Sequence, residues 1–166
     1  MKKHNHRSFN DAAHAAVALL ATEASNSLSD PNKFDPIETY ISRWVTSLQN
    51  GEYDEADMEL ATMVISRAGI ESVKWLEENA GPFSVDNMTN IICRKQHDYG
   101  HKNITNFGVI GVGIRICDKI ARIKNLTKLG DPKNESLLDS YYDIIGYSAI
   151  ALMLENESFH LPLKDK

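Results

Sequence analysis

With 166 residues, 42% of them hydrophobic and 25% charged, the chain has ordinary globular composition, enough for one proper core and short for two. No apolar run reaches the ~18 residues needed to cross a bilayer, so no membrane partner is expected. A net charge of −5 argues against a binder of long nucleic acid, and two cysteines without zinc or disulfide spacing read as buried free thiols of a cytoplasmic protein.

The first predicted element is Ala-rich. Lys2, Lys3 and Arg7 precede Ala15 to Ala21 in a faintly leader-like pattern, but the stretch is short and Glu23 follows at once. An amphipathic helix is expected here, with Ser8 and Asp11 at capping-box spacing. Asp35-Pro36 then supplies an N-cap and a first-turn proline for Ile37, Tyr40, Ile41, Trp44, Val45 and Leu48, an amphipathic stripe that Gly51 ends. A third helix is predicted over roughly 54–79, with Gly69 as a possible interruption and Gly81-Pro82 as its stop. Ser84 caps a fourth, through Met88, Ile91, Ile92 and Lys95, that ends near Tyr99-Gly100; a loop follows. The fifth covers about 108–128 and stops at Gly130. Asp131-Pro132 opens the sixth, which continues to about Glu155. No window alternates with period two, so the prediction is an all-α bundle of about six helices in one domain.

The last helix carries the strongest chemical signal. Ile144 to Leu154 is apolar almost all the way round, the mark of a helix buried in a bundle or at a subunit interface. Just upstream, Glu135, Asp139 and Asp143 recur at fourfold spacing and share a face. Three anions in a row repel one another, and Asp143 runs into the apolar stretch, where an unpartnered carboxylate is disfavoured. A divalent cation removes both penalties, and an oxygen-rich set suits Mg²⁺ or Mn²⁺. Simpler readings stand beside this one: Glu135 suits a helix first turn, and Asp139 suits a solvated face.

The fifth helix offers the complement. Residues 94–128 carry eight Lys and Arg against two Asp, a local basic stretch in an acidic chain that suits a small anionic ligand. Within it Arg115, Asp118, Lys119 and Arg122 form a polar stripe. It is either a solvated face or a site in which the cations hold phosphate oxygens and Asp118 joins the metal cluster. Between the two helices, Lys95-Gln-His-Asp-Tyr-Gly100 and Asn103 crowd charge, amide and aromatic groups into a helix end and loop. Asp98 is a candidate metal ligand there, and Lys95, Tyr99 and Asn103 are candidate nucleotide contacts.

Taken together, K-x-H-D-Y-G from Lys95, N-F-G-x-x-G-x-x-x-R-x-x-D-K-x-x-R from Asn106 and E-x-x-x-D-x-x-x-D-x-x-G-Y from Glu135 resemble a phage and bacterial family, the nucleotide-modification-associated proteins. That family is similar to the all-α nucleotide pyrophosphatases, the group of MazG and the dimeric dUTPases. The resemblance covers about Asn87 to Leu154. It implies a nucleotide-processing core over 84–156, with 1–80 as a helical extension or dimerisation arm, and a homodimer or homotetramer in the host cytoplasm. It implies Mg²⁺-dependent pyrophosphohydrolysis of a nucleoside triphosphate, with nucleotide binding without turnover as the alternative. Carried onto this chain, the metal set is Asp98, Asp118, Glu135, Asp139 and Asp143, and Asp118, Asp139 and Asp143 are the catalytic acids. The nucleotide contacts are Arg115, Lys119, Arg122 and Tyr147, beside Lys95, Tyr99 and Asn103.

Overall fold

The computed structural model describes residues 5–52, 58–130, 132–133 and 136–164. Seven helices and no strand occur among them: α1 Phe9–Asn26, α2 Asp35–Gln49, α3 Met58–Ala80, α4 Val85–Tyr99, α5 Lys102–Thr105, α6 Gly108–Leu129 and α7 Leu137–Glu155. None is long and apolar enough to cross a membrane.

Local signals explain most of the boundaries. The Ser8 hydroxyl accepts from the Asp11 N–H and opens α1, and the Ser84 hydroxyl accepts from the Asn87 N–H and opens α4. Pro36 lies in the first turn of α2, but Asp35 is the first helical residue rather than a side-chain cap. The predicted start of the third helix at residue 54 lies outside the described residues. The sixth predicted helix begins later than expected. It starts at Leu137, because Ser136 and Asp139 form a reciprocal capping box that outcompetes the Asp-Pro signal upstream.

The core is organised around α7, which packs against α3, α6, α1 and α4. Every residue from Ile144 to Leu154 is buried or half-buried, as its all-round apolar character requires. Ile144, Ile145 and Met153 are wholly enclosed, each worth about 1.5–3 kcal/mol of burial. Described residues before 81 contribute to this core. Ala12, Ala13, Ala16 and Val17 of α1 are buried, and α1 packs on both α4 and α7.

Gly69 does not interrupt α3. A Cβ at this position would lie 2.5 Å from Ser148 Cβ, so the glycine lets α3 and α7 cross closely. At the same crossing Ser148 Oγ donates to the Ile65 carbonyl at 2.9 Å, and Trp75 stacks on Tyr141 with ring centroids 3.9 Å apart. Two features escaped the sequence reading. The loop expected after Gly100 contains the single turn α5, and the chain after α7 folds back. There Phe159 is fully buried against Phe9, and the Phe9 N–H donates to the Pro162 carbonyl at 2.8 Å.

Candidate functional site

Three helices each present a pair of side chains at fourfold spacing to one cleft: Lys95 and Tyr99 from α4, Arg115 and Lys119 from α6, Asp143 and Tyr147 from α7. The cleft has a volume of about 470 Å³, and Asn103 and Ile104 of α5 also line it. Its floor is apolar. Gly146 of α7 faces α4 there, and a Cβ on it would meet Met88 Cε at 3.3 Å and Ile92 Cγ1 at 3.8 Å.

The charged lining consists of three cations and one carboxylate. Lys95 Nζ lies 2.5 Å from one Asp143 oxygen, and Lys119 Nζ lies 2.7 Å from the other. Burial alone would raise the Asp143 carboxyl, but the hydrogen bonds from Lys119 and Lys95 outweigh it and hold Asp143 below the usual carboxylate range. Arg115 Nη2 donates to the Asn103 carbonyl at 3.0 Å, and its guanidinium carbon lies 5.9 Å from the Tyr147 ring centroid. Tyr99 lines the cleft yet is 68% exposed, leaving an aromatic face open to a ligand.

Seven of the candidate residues therefore meet: Lys95, Tyr99, Asn103, Arg115, Lys119, Asp143 and Tyr147. Four others do not join them. Asp139 is exposed and accepts from the Ser136 N–H and hydroxyl, both at 2.8 Å, so its carboxylate serves the helix cap. Arg122 donates to the Ser136 carbonyl at 3.1 Å and to Ser140 Oγ, which ties α6 to the start of α7 rather than lining the cleft. Asp118 is exposed and absent from the cleft lining. Asp98 is exposed beside His97, with 3.1 Å between His97 Nδ1 and its carboxylate. Glu135 lies outside the described residues.

Among the described residues, no three His, Cys, Asp or Glu side chains gather into a group able to hold a metal ion. The cleft's one carboxylate already carries two ammonium partners, so this donor set does not suit a protein-held Mg²⁺ or Mn²⁺. Cys93 and Cys117 are half-buried free thiols. Burial raises both, and Cys117 is pushed up to about 11, so neither offers a reactive thiolate.

Gln96 was missed from sequence. It is buried, and its Nε2 lies 2.6 Å from His101 Nδ1, linking the end of α4 to the segment that carries Asn103. Its fourfold spacing from Met88 and Ile92 was the available signal for a place on the inner face. Phe9 also lines the cleft, far along the chain from Lys95, the nearest predicted site residue, and no local pattern announces that contact. Comparison with protein families, with curated proteins and with solved structures finds no match.

Proposed function

We propose that the cleft binds a small nucleotide, with Lys95, Lys119 and Arg115 facing its phosphates and Tyr99 offering a stacking surface for its base. The observation that carries this reading is the surplus of cationic side chains over carboxylate in a cleft of ligand size with an aromatic rim. Lysine ammoniums serve phosphate as point charges and a guanidinium serves it as a planar fork, and base-on-aromatic stacking tolerates any base. The resemblance of the three sequence motifs to nucleotide-processing proteins points the same way. Metal-dependent hydrolysis, which that resemblance also implies, lacks a set of acids to hold the ion among the described residues, so binding is the function proposed and no hydrolytic step is derived.

A second reading is favoured by the engagement of Lys119 with Asp143 and of Arg122 with Ser136 and Ser140: the stripes on α6 and α7 clasp the two helices together and bind nothing. Calorimetry with each deoxynucleoside triphosphate, with and without Mg²⁺, separates the two. Nucleotide binding is expected in the wild type and is expected to weaken at least ~100-fold in Lys95→Gln/Lys119→Gln, as the loss of two charge-assisted contacts predicts. No heat from any nucleotide, or equal affinity in the variant, leaves the clasp. Release of pyrophosphate that depends on Mg²⁺ would extend the proposal to hydrolysis.

A further inference from the structure

Asn103 stands on α5, the one turn between Gly100 and Gly108, whose φ angles of 65° and 59° lie in the left-handed region. Arg115 holds its backbone carbonyl and so ties the residue to the cationic wall. Its side-chain Oδ1 is closed off from solvent and has no hydrogen-bond partner among the described residues, although the residue lines the cleft. An enclosed amide oxygen without a donor is disfavoured, and folded chains rarely keep one without a use. The other three enclosed polar atoms without a partner among the described residues, Trp44 Nε1, Thr62 Oγ1 and Ser66 Oγ, belong to α2 and α3, and none of their residues lines the cleft.

We infer that Asn103 is the residue by which the cleft distinguishes a nucleotide from a bare polyphosphate. Resting on the nucleotide reading above, this assigns Oδ1 as acceptor for a neutral N–H or O–H on the nucleoside part of the ligand, while Lys95 and Lys119 hold the phosphates. Rotation of the amide, or a small shift of the turn between its two glycines, turns the oxygen toward the ligand. A site built around such an acceptor rejects ligands that lack the donor, because they leave the oxygen unpaired. Two groups of a nucleoside carry suitable donors, the base edge and the sugar hydroxyl.

The test compares wild type with Asn103→Ala and Asn103→Leu by calorimetry, using inorganic triphosphate, the four deoxynucleoside triphosphates and the matching 2′,3′-dideoxy compounds. Both variants are expected to bind the preferred deoxynucleotide about tenfold or more weakly and to bind inorganic triphosphate as the wild type does. Both should melt about as the wild type does, since Oδ1 makes no hydrogen bond within the described protein that the variants could lose. A dideoxy compound that binds wild type as weakly as the deoxynucleotide binds Asn103→Ala identifies the sugar hydroxyl as donor; undiminished dideoxy binding identifies the base. Unchanged deoxynucleotide affinity in the variants overturns the assignment. So does an equal loss for triphosphate and nucleotide, or a lowered melting temperature with parallel loss of both. If inorganic triphosphate fails to bind even the wild type, the cationic cleft itself is refuted, a result distinct from indifference to Asn103.

Discussion

The molecule holds two clusters of opposite charge, and they are built differently. In the first, Glu71 and Lys74 of α3 are each less than a tenth exposed, and Lys74 Nζ lies 2.7 Å from Glu71 Oε1. Lys74 also donates to the Leu28 carbonyl at 2.7 Å, and the Asp30 N–H donates to Glu71 at 3.4 Å. With Arg67 on Asp30 at its outer edge, this cluster closes the α1–α2 connection onto α3, and the charges of its Glu71–Lys74 pair are matched and enclosed. In the second, Asp143 faces two lysines beside an open cleft, with Arg115 nearby and cations in excess. Matched and sealed charge serves architecture, because uncovering either partner is strongly unfavourable. Unequal charge at the edge of a cavity leaves a field for a ligand.

Breaking the first cluster should have the larger effect on stability. Glu71→Leu leaves Lys74 enclosed with the Leu28 carbonyl as its acceptor and Asp30 as the nearby carboxylate, and a loss of about 3–5 kcal/mol is expected. Denaturant unfolding measures it, and nucleotide affinity extrapolated to the folded fraction should stay as in the wild type. A loss well under ~1 kcal/mol, the level typical of exposed pairs, would remove the distinction between the clusters.

The second cluster should respond in the opposite way. Asp143→Asn weakens the hold of the carboxylate on Lys95 and Lys119, and the cost in stability should be only about 1 kcal/mol, because Lys95 is more than half exposed and Lys119 a quarter exposed at the cleft. Affinity for inorganic triphosphate should rise, by about tenfold if half or less of the released Coulomb attraction is transferred to the ligand. Weaker binding in this variant would mean that Asp143 meets the ligand through a cation, and the reading of a purely cationic phosphate site would fall.

The smallest effect is on pH dependence, and its sign follows from the two titrating groups. Asp143 is held low, so its stabilising contribution is fully present above the ordinary carboxylate value of 3.8 and fades only as pH falls through the lower folded value. His101 is also lowered, first by burial against its surroundings and then by His160, so the folded protein prefers it neutral. Its unfolded form takes up a proton near pH 6.5 before the folded form does, and stability should therefore drop modestly as pH is lowered from about 6.5. Melting temperatures between pH 7.5 and 5 should show this slope in wild type and a flatter one in His101→Gln. An identical slope in both would place the titrating group elsewhere.

The sequence by itself determined the helical class, because its apolar residues recur at 3.6-residue spacing and serine caps, prolines and glycines punctuate them locally. It also determined which side chains would share a face, since fourfold spacing is a property of one helix: Lys95 with Tyr99, Arg115 with Lys119, and Asp143 with Tyr147 were all legible. Only the tertiary structure decided what those faces meet. Asp139 and Asp143 occupy one stripe on paper, yet Asp139 is claimed by Ser136 at the helix start and Asp143 by lysines from two other helices. Gly69 is a possible interruption in the sequence, yet in the fold it makes room for Ser148 of a distant helix. Phe9 and Phe159 lie at opposite ends of the chain and pack together because the residues after α7 fold back on α1. Spacing encodes direction around an axis, but a partner separated by tens of residues is selected by how whole helices pack, and that packing depends on volume and shape summed over the entire core.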